Sequence, residues 1–138
     1  MAKVSMSTNL DVSADQLWQF IGHFNALPDW HPAVEKSELQ EEGQVRKLTL
    51  AGGGTIVERL ERIDDKERVY SYSIEDSPLP VANYKSTIRV REDEGGKRAV
   101  VEWSGEFTPT GASEQDAIKV MQDIYKAGLE NLKKMYGG

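Results

Sequence analysis

Two glutamates that fall within strand-like segments are the residues whose chemistry stands out first. Glu58 and Glu102 each occur in a run with a two-residue hydrophobic period, so each is predicted to face the buried side of a sheet. A carboxylate there is costly unless tyrosines, waters or a bound molecule hydrogen-bond to it. Two such carboxylates close together would raise the pKa of one, which gives a general acid or base. A bulge or register shift that turns either residue to solvent is the alternative, and Trp103 has the opposite parity to Glu102.

His31 is the second candidate for proton transfer. It lies between Trp30 and Pro32, in a short segment predicted to form one end of a binding cup. A histidine at the mouth of such a cup can donate to a ligand carbonyl or act as a base near neutral pH. A solvent-facing histidine that only follows a buried tryptophan is the alternative.

Other kinds of site find no support in the residue pattern. The chain has no cysteine and two histidines, and its carboxylates match no metal-binding spacing, so we expect no metal and no cofactor. The run Gly52-Gly53-Gly54 lacks the Lys-Ser/Thr of a phosphate-binding loop, and the serines form no Gly-x-Ser-x-Gly elbow. Covalent catalysis is therefore not expected.

Composition and charge limit the class of protein. The 138 residues, 38% hydrophobic and 29% charged, predict one domain over residues 1–138. The net charge of −6 argues against nucleic acid and anionic membranes as partners. The segment Met1–Met6 lacks the continuous apolar run of a signal peptide. We expect a soluble cytoplasmic protein that is a monomer or a weak homodimer.

The elements that must position these residues follow from the hydrophobic periods. Residues 4–12 alternate as a strand does, Ser13 and Gln16 predict a capped short helix that ends by Gly22, and residues 23–32 predict a second short helix or compact turn. Turn residues then divide the chain into six further strands, at residues 34–40, 44–51, 55–63, 67–75, 83–92 and 97–107. Short connections indicate an antiparallel meander.

A long helix is predicted from Ser113 to the C-terminus, with apolar residues at helical spacing. Only this helix is long enough to cross a seven-stranded sheet. The predicted fold is therefore an α+β helix-grip fold, in which a curved antiparallel sheet, two short helices and a long C-terminal helix enclose a cavity.

Four local motifs, in their order along the chain, resemble the START-like or SRPBCC superfamily. They are Asp29–Val34, Glu58-Arg59-Leu60 with Asp64-Asp65, Asn83–Ser86, and Pro109-Thr110-Gly111 before Ser113-Glu114. This superfamily includes bacterial polyketide cyclases, birch-pollen-allergen proteins and plant abscisic-acid receptors, and the likeness covers nearly the whole chain.

The resemblance implies two entrance loops and also shows departures. The receptor gate corresponds to residues 51–55, with Gly52, Gly53 and Gly54, but lacks the leucine-proline core. The latch corresponds to residues 77–81, with Pro78, Leu79 and Pro80, but lacks the histidine and arginine. The hormone-binding lysine falls at His31 and the helix asparagine at Gly128. Abscisic-acid sensing is therefore not expected, whereas a cavity is.

Alternation and resemblance together give a set of predicted ligand-binding residues. They are Trp30, His31, Ile56, Glu58, Leu60, Tyr72, Ile74, Tyr84, Ser86, Glu102, Val120, Ile124 and Gly128. The alternative is that the aromatic and aliphatic members are simply core.

Three functions remain open from the sequence. The leading hypothesis is binding of a small hydrophobic or aromatic metabolite, polyketide-, lipid- or isoprenoid-like. The second is a metal-free cyclase, dehydratase or isomerase in which Glu58, His31, Tyr72 or Tyr84 moves protons. The third is a protein-interaction module, which requires an exposed apolar patch such as Leu79 with Val81.

Overall fold

The computed structural model describes residues 1–137, and Gly138, the last residue of the predicted domain, lies outside the described residues. The strands are β1 (Ala2–Leu10), β2 (Val34–Gln40), β3 (Val45–Leu50), β4 (Thr55–Asp64), β5 (Val69–Asp76), β6 (Val81–Asp93) and β7 (Arg98–Pro109). The helices are α1 (Ala14–Ile21), α2 (Leu27–Trp30) and α3 (Glu114–Tyr136), and a 3-10 turn at Phe24–Ala26 precedes α2.

The seven strands form one antiparallel sheet in the order β1-β7-β6-β5-β4-β3-β2. The prediction of a seven-stranded antiparallel sheet is confirmed. Strand bounds differ where the backbone turns: β5 begins after Arg68, which has a φ of +52°. The sixth strand begins earlier than predicted, at Val81, because an irregularity between Ala82 and Lys85 carries pairing past Asn83.

Both predicted N-caps are present. Ser13 accepts a hydrogen bond from the backbone N–H of Gln16 at 3.2 Å, and its hydroxyl donates to the Gln16 side-chain oxygen at 3.2 Å. Ser113 accepts from the backbone N–H of Asp116 at 3.1 Å. These bonds satisfy amides that have no intrahelical partner, which is why α1 and α3 begin at these positions.

Helix α3 lies against the inner face of the curved sheet and completes the helix-grip fold. Its buried residues are Ala117, Met121, Tyr125, Gly128, Leu129 and Leu132. The outer face of the sheet is polar and carries ion pairs such as Arg91 with Glu102. None of the helices within residues 1–137 is both long and apolar enough to cross a membrane.

Candidate functional site

A pocket of about 360 Å³ lies between α3 and the inner face of strands β3, β4 and β5. Its wall comprises Leu27, His31, Ala33, Val34, Leu48, Leu50, Ala51, Gly52, Gly53, Ile56, Glu58, Tyr72, Ile74, Leu79, Tyr84, Trp103, Val120, Met121, Ile124 and Tyr125. Most of these side chains are apolar, and the polar groups are a carboxylate, an imidazole and tyrosine hydroxyls.

Several apolar wall residues remain half-buried although they pack against the core. Leu50, Ile74, Leu79, Val120 and Ile124 pack against the core and still have exposed surface. Removing such apolar surface from water, for example by a bound ligand, contributes a favourable free energy of about 25 cal/mol per Å². The pocket therefore offers an apolar surface that the chain itself leaves uncovered.

Glu58 contributes the carboxylate of the pocket and pairs with Arg46, the residue directly opposite on β3. Arg46 Nε donates to Glu58 Oε1 at 2.8 Å, and Arg46 Nη2 lies 2.7 Å from the same oxygen. Nη2 lacks hydrogen-bond geometry to any described partner, so the second contact is ionic only. Arg46 is fully buried and Glu58 is 5% exposed.

The rest of the Arg46 guanidinium is held by the protein. Its Nη1 donates to the Phe24 carbonyl at 2.6 Å, and its charge lies over the Phe24 ring at 4.2 Å and the Tyr72 ring at 4.9 Å. Burial opposes the charge of Arg46, but Glu58 and the neighbouring tyrosines outweigh it and raise the pKa of Arg46. Arg46 is thus protonated, and it does not itself line the pocket.

Burial raises the pKa of the Glu58 carboxyl above its ordinary value, and the adjacent Arg46 charge opposes that rise. The predicted cause was different, namely a second carboxylate from Glu102. Glu102 lies on the outer face of the sheet, with its side chain 40% exposed and 2.8 Å from Arg91. The prediction that Glu102 faces the cavity is wrong, because β7 turns Trp103 and Phe107 inward instead.

A hydrogen-bonded network of hydroxyls lies beside the pocket. The Tyr84 and Tyr125 hydroxyls are bonded to each other, Tyr125 is 3.1 Å from the Ser86 hydroxyl, and Ser86 donates to the Ser104 carbonyl at 2.8 Å. The Trp103 N–H is shared between Ser86 at 3.0 Å and Tyr72 at 3.1 Å.

Burial keeps this tyrosine cluster protonated. It raises the pKa of Tyr125 to about 12, and it raises the pKa values of Tyr72 and Tyr84 well above the ordinary range. Gly105 makes room for the network, since a Cβ there would overlap the Tyr125 hydroxyl. Near neutral pH these residues can donate and accept hydrogen bonds but cannot act as bases.

His31 reaches the pocket but has both ring nitrogens engaged. Its Nδ1 accepts the backbone N–H of Ala33 at 3.1 Å, so its Nε2 carries the proton and donates to the Ile124 carbonyl at 2.7 Å. Burial lowers the pKa of His31, although the bond to Ile124 acts in the opposite direction. His31 is 2% exposed and lies on the pocket wall, so the solvent-facing alternative is wrong.

The two predicted entrance loops meet at the rim of the pocket. Gly52, Gly53 and Leu79 belong to the wall, and a Cβ on Gly54 would lie 3.8 Å from Pro78 Cγ. Gly53 and Gly54 have φ angles of +91° and +96°, which favour glycine. Val81 is buried and Leu79 is half-buried, so the exposed patch required by the interaction-module hypothesis is not formed by these residues.

The predicted ligand-binding and entrance-loop residues divide into those that line the pocket and those that do not. On the pocket wall are His31, Ile56, Glu58, Tyr72, Ile74, Tyr84, Val120 and Ile124. Away from it are Trp30, Leu60, Ser86, Glu102 and Gly128, and at the rim Gly54, Pro78 and Pro80 do not line the pocket.

Three of the predicted residues that do not line the pocket have clear structural reasons for lying elsewhere. Trp30 packs edge-on against Trp103, with ring centroids 5.5 Å apart, behind the wall. Gly128 faces these rings, because a Cβ there would lie 2.9 Å from Trp30 Cζ3 and 3.0 Å from Trp103 Cζ3. Leu60 lies next to the register irregularity that separates it from Arg62 on β4.

Sequence reasoning missed part of the wall and the partner of Glu58. The missed wall residues are Leu27, Ala33, Val34, Leu48, Leu50, Ala51, Trp103, Met121 and Tyr125. One signal was available for Arg46: it shares the parity of Leu48 and Leu50. Within residues 1–137, no group of three or more histidine, aspartate or glutamate side chains is placed to hold a metal ion.

Comparison with known proteins gives a family match over nearly the whole chain. Residues 1–137 match the family model described as polyketide cyclase / dehydrase and lipid transport. The abscisic acid receptor PYL2 of Arabidopsis thaliana is 27% identical over 139 residues, which span 92% of this chain and 73% of the receptor.

Solved structures show the same architecture. The protein XoxI from Bacillus cereus is 47% identical, with a TM-score of 0.96 over 99% of this chain and 96% of that one. The Zhui aromatase/cyclase from Streptomyces sp. R1128 is 20% identical, with a TM-score of 0.78 over 96% of this chain and 92% of that one. The second likeness concerns the fold alone.

Proposed function

Because the chain belongs to the polyketide cyclase / dehydrase and lipid transport family, we propose that its pocket binds a small hydrophobic or aromatic molecule. The START-like resemblance predicted from the sequence is confirmed by the family match and the structural neighbours. The observation that carries the proposal is the pocket of about 360 Å³ with half-buried apolar side chains on its wall.

The size of the pocket limits the ligand. A volume of about 360 Å³ is at the lower end of the range of ligand pockets, which begins near 300 Å³. Covering about 200–300 Å² of apolar ligand surface contributes a gross gain of roughly 5–7 kcal/mol. The entropy lost on association offsets a large share of this gain, so the expected affinity is micromolar.

Native mass spectrometry of freshly purified protein, followed by thermal-shift measurements with apolar and aromatic compounds, tests this proposal. Bound ligand should raise the melting temperature with the logarithm of ligand concentration. Val120→Trp, which fills the pocket, should abolish the shift, whereas Gln122→Trp on the exposed side of α3 should preserve it. Absence of any bound species and of any shift would contradict the proposal.

A second candidate function is acid–base catalysis of the cyclase or dehydratase kind, and one observation favours it. Glu58 is a pocket-facing carboxylate whose pKa is raised by burial. His31 has no free nitrogen and the tyrosines stay protonated, so Glu58 is the remaining base of those predicted. Catalysis predicts that Glu58→Gln lowers kcat by about 10²–10⁴-fold, much more than it weakens binding. A carrier would show no turnover in either protein.

Assembly and location are part of the proposal and rest on composition. We propose a monomer or weak homodimer in the cytoplasm, supported by the net charge of −6 and the cysteine-free sequence. Light scattering over a range of protein concentrations tests the first statement. Fractionation of the source cells tests the second.

A further inference from the structure

The wall of the pocket carries a negative charge but no positive charge among the described residues. Among the described residues on its wall, Glu58 is the one with a formal charge at neutral pH, because His31 is held neutral and no lysine or arginine contributes. Arg46 lies behind Glu58 and is fully buried. Its charge balances that of Glu58 without presenting a cation to a ligand.

One oxygen of Glu58 is left for a bound molecule. Oε1 receives both contacts from Arg46, at 2.8 and 2.7 Å. Oε2 has no hydrogen-bond partner among residues 1–137, and it is not among the polar atoms sealed from solvent. Since Glu58 belongs to the pocket wall, Oε2 is an acceptor open to the pocket.

Assigning the protons of the hydroxyl network shows which hydrogen-bond donor remains free to contact a ligand. Ser86 gives its proton to the Ser104 carbonyl, so Tyr125 must donate to Ser86 and Tyr84 must donate to Tyr125. Tyr72 accepts from Trp103, and its own proton has no acceptor in the described part of the chain. The pocket wall therefore offers one hydroxyl donor, on Tyr72, and one carboxylate acceptor, on Glu58.

These groups define the chemistry of the ligand, and the inference rests on the proposed function. We propose that the pocket selects an apolar molecule that carries a hydroxyl group, a phenol or an alcohol, and excludes carboxylic acids. A hydroxyl donates and accepts, so one group can serve Glu58 and Tyr72 together. A carboxylate would place a second negative charge beside Glu58 with no cation on the wall. An ammonium would bring a positive charge that nothing balances, because Arg46 already neutralises Glu58.

A series of probes with one shared ring system tests the inference. Calorimetric titration at pH 7 compares 2-naphthol, 2-methylnaphthalene, 2-naphthoate and 2-naphthylmethylammonium. The hydrogen bond to a charged acceptor should make 2-naphthol about 10–100-fold tighter than 2-methylnaphthalene. The naphthoate and the ammonium should bind more weakly than 2-naphthol. Equal or tighter binding of the hydrocarbon, the acid or the ammonium would overturn the inference and leave the proposed function standing. If none of the four compounds bound, both the inference and the proposed function would be contradicted.

Substitutions locate the preference at Glu58. Glu58→Gln leaves the Arg46 charge unbalanced, so binding of 2-naphthoate should improve while binding of 2-naphthol weakens. Because that variant can fail to fold, Arg46→Met combined with Glu58→Leu removes both charges and should abolish the preference for the hydroxyl. Glu61→Gln, an exposed glutamate on the same strand, is the matched control and should keep it. A preference retained by the double variant would refute the role of Glu58.

Discussion

Replacing Gly128 by alanine distinguishes two placements of this helix position, because they predict stability changes of opposite sign. If Gly128 faced an empty pocket, alanine would stabilise α3 by about 1 kcal/mol through its higher helix propensity. The structure instead places a Cβ at this position 2.8 Å from His31 Cδ2, 2.9 Å from Trp30 Cζ3 and 3.0 Å from Trp103 Cζ3.

The magnitude follows from how firmly these rings are held. Each of the three residues is at most 2% exposed, and His31 is fixed by two hydrogen bonds to backbone atoms. None can move aside without disturbing the others, so the cost should approach the upper end of the roughly 1–3 kcal/mol found for overpacked cores. After the helix-propensity gain, Gly128→Ala should lower the free energy of unfolding by about 2 kcal/mol.

Urea denaturation and thermal melting measure this change. A loss of about 2 kcal/mol corresponds to a fall in Tm of roughly 6–10 °C for a domain of this size. Gly52→Ala is the control, since no atom of residues 1–137 lies within 4 Å of its Cβ position and its φ is not in the left-handed region. It should not lower the stability. A rise in Tm for Gly128→Ala would show that the three rings do not fill this space.

Three further predictions concern buried titratable groups. The pKa of Tyr125 is about 12 in the native state and about 10 when unfolded, so the native state holds more protons between these values. Stability should therefore fall as the pH rises from 10 to 12, and Tyr125→Phe should flatten this slope in pH-dependent urea titrations. Burial lowers the pKa of His31, so the unfolded state binds more protons and stability should fall as the pH drops below about 6.5. His31→Gln should weaken that dependence, and an unchanged slope would refute the burial argument. Arg46→Met alone should cost about 3–5 kcal/mol because Glu58 is left buried and unpaired, whereas Arg46→Met with Glu58→Leu should recover most of the loss. Equal loss in both variants, measured by denaturation, would contradict the pairing.

The two glutamates show what alternation can and cannot decide. Ile56 and Glu58 are in phase on β4, and both are buried as predicted. On β7, Val100 and Val101 are adjacent and both are buried, so the valines did not identify the inner face, and Glu102 was placed on the wrong one. The aromatic parity of Trp103 was the better signal, since a large ring gains more from burial than a valine does.

The pair Arg46–Glu58 required the register of β3 against β4. Nothing local to either residue shows that they stand directly opposite each other. An arginine within a strand is usually exposed, and its burial here depends on acceptors from Phe24 and Tyr70, which are distant in the sequence. The charge balance of the pocket therefore could not be predicted from the sequence.

The sequence by itself determined the order of the elements, the caps at Ser13 and Ser113, and the antiparallel sheet crossed by one long helix. These features depend on short-range periods and on hydrogen bonds between residues close in the chain. The tertiary structure decided which face of β7 turns inward, which partner Glu58 receives, and that Gly128 contacts rings instead of the pocket. Those outcomes depend on strand register and on distances between elements, which are set only when all the surfaces pack together.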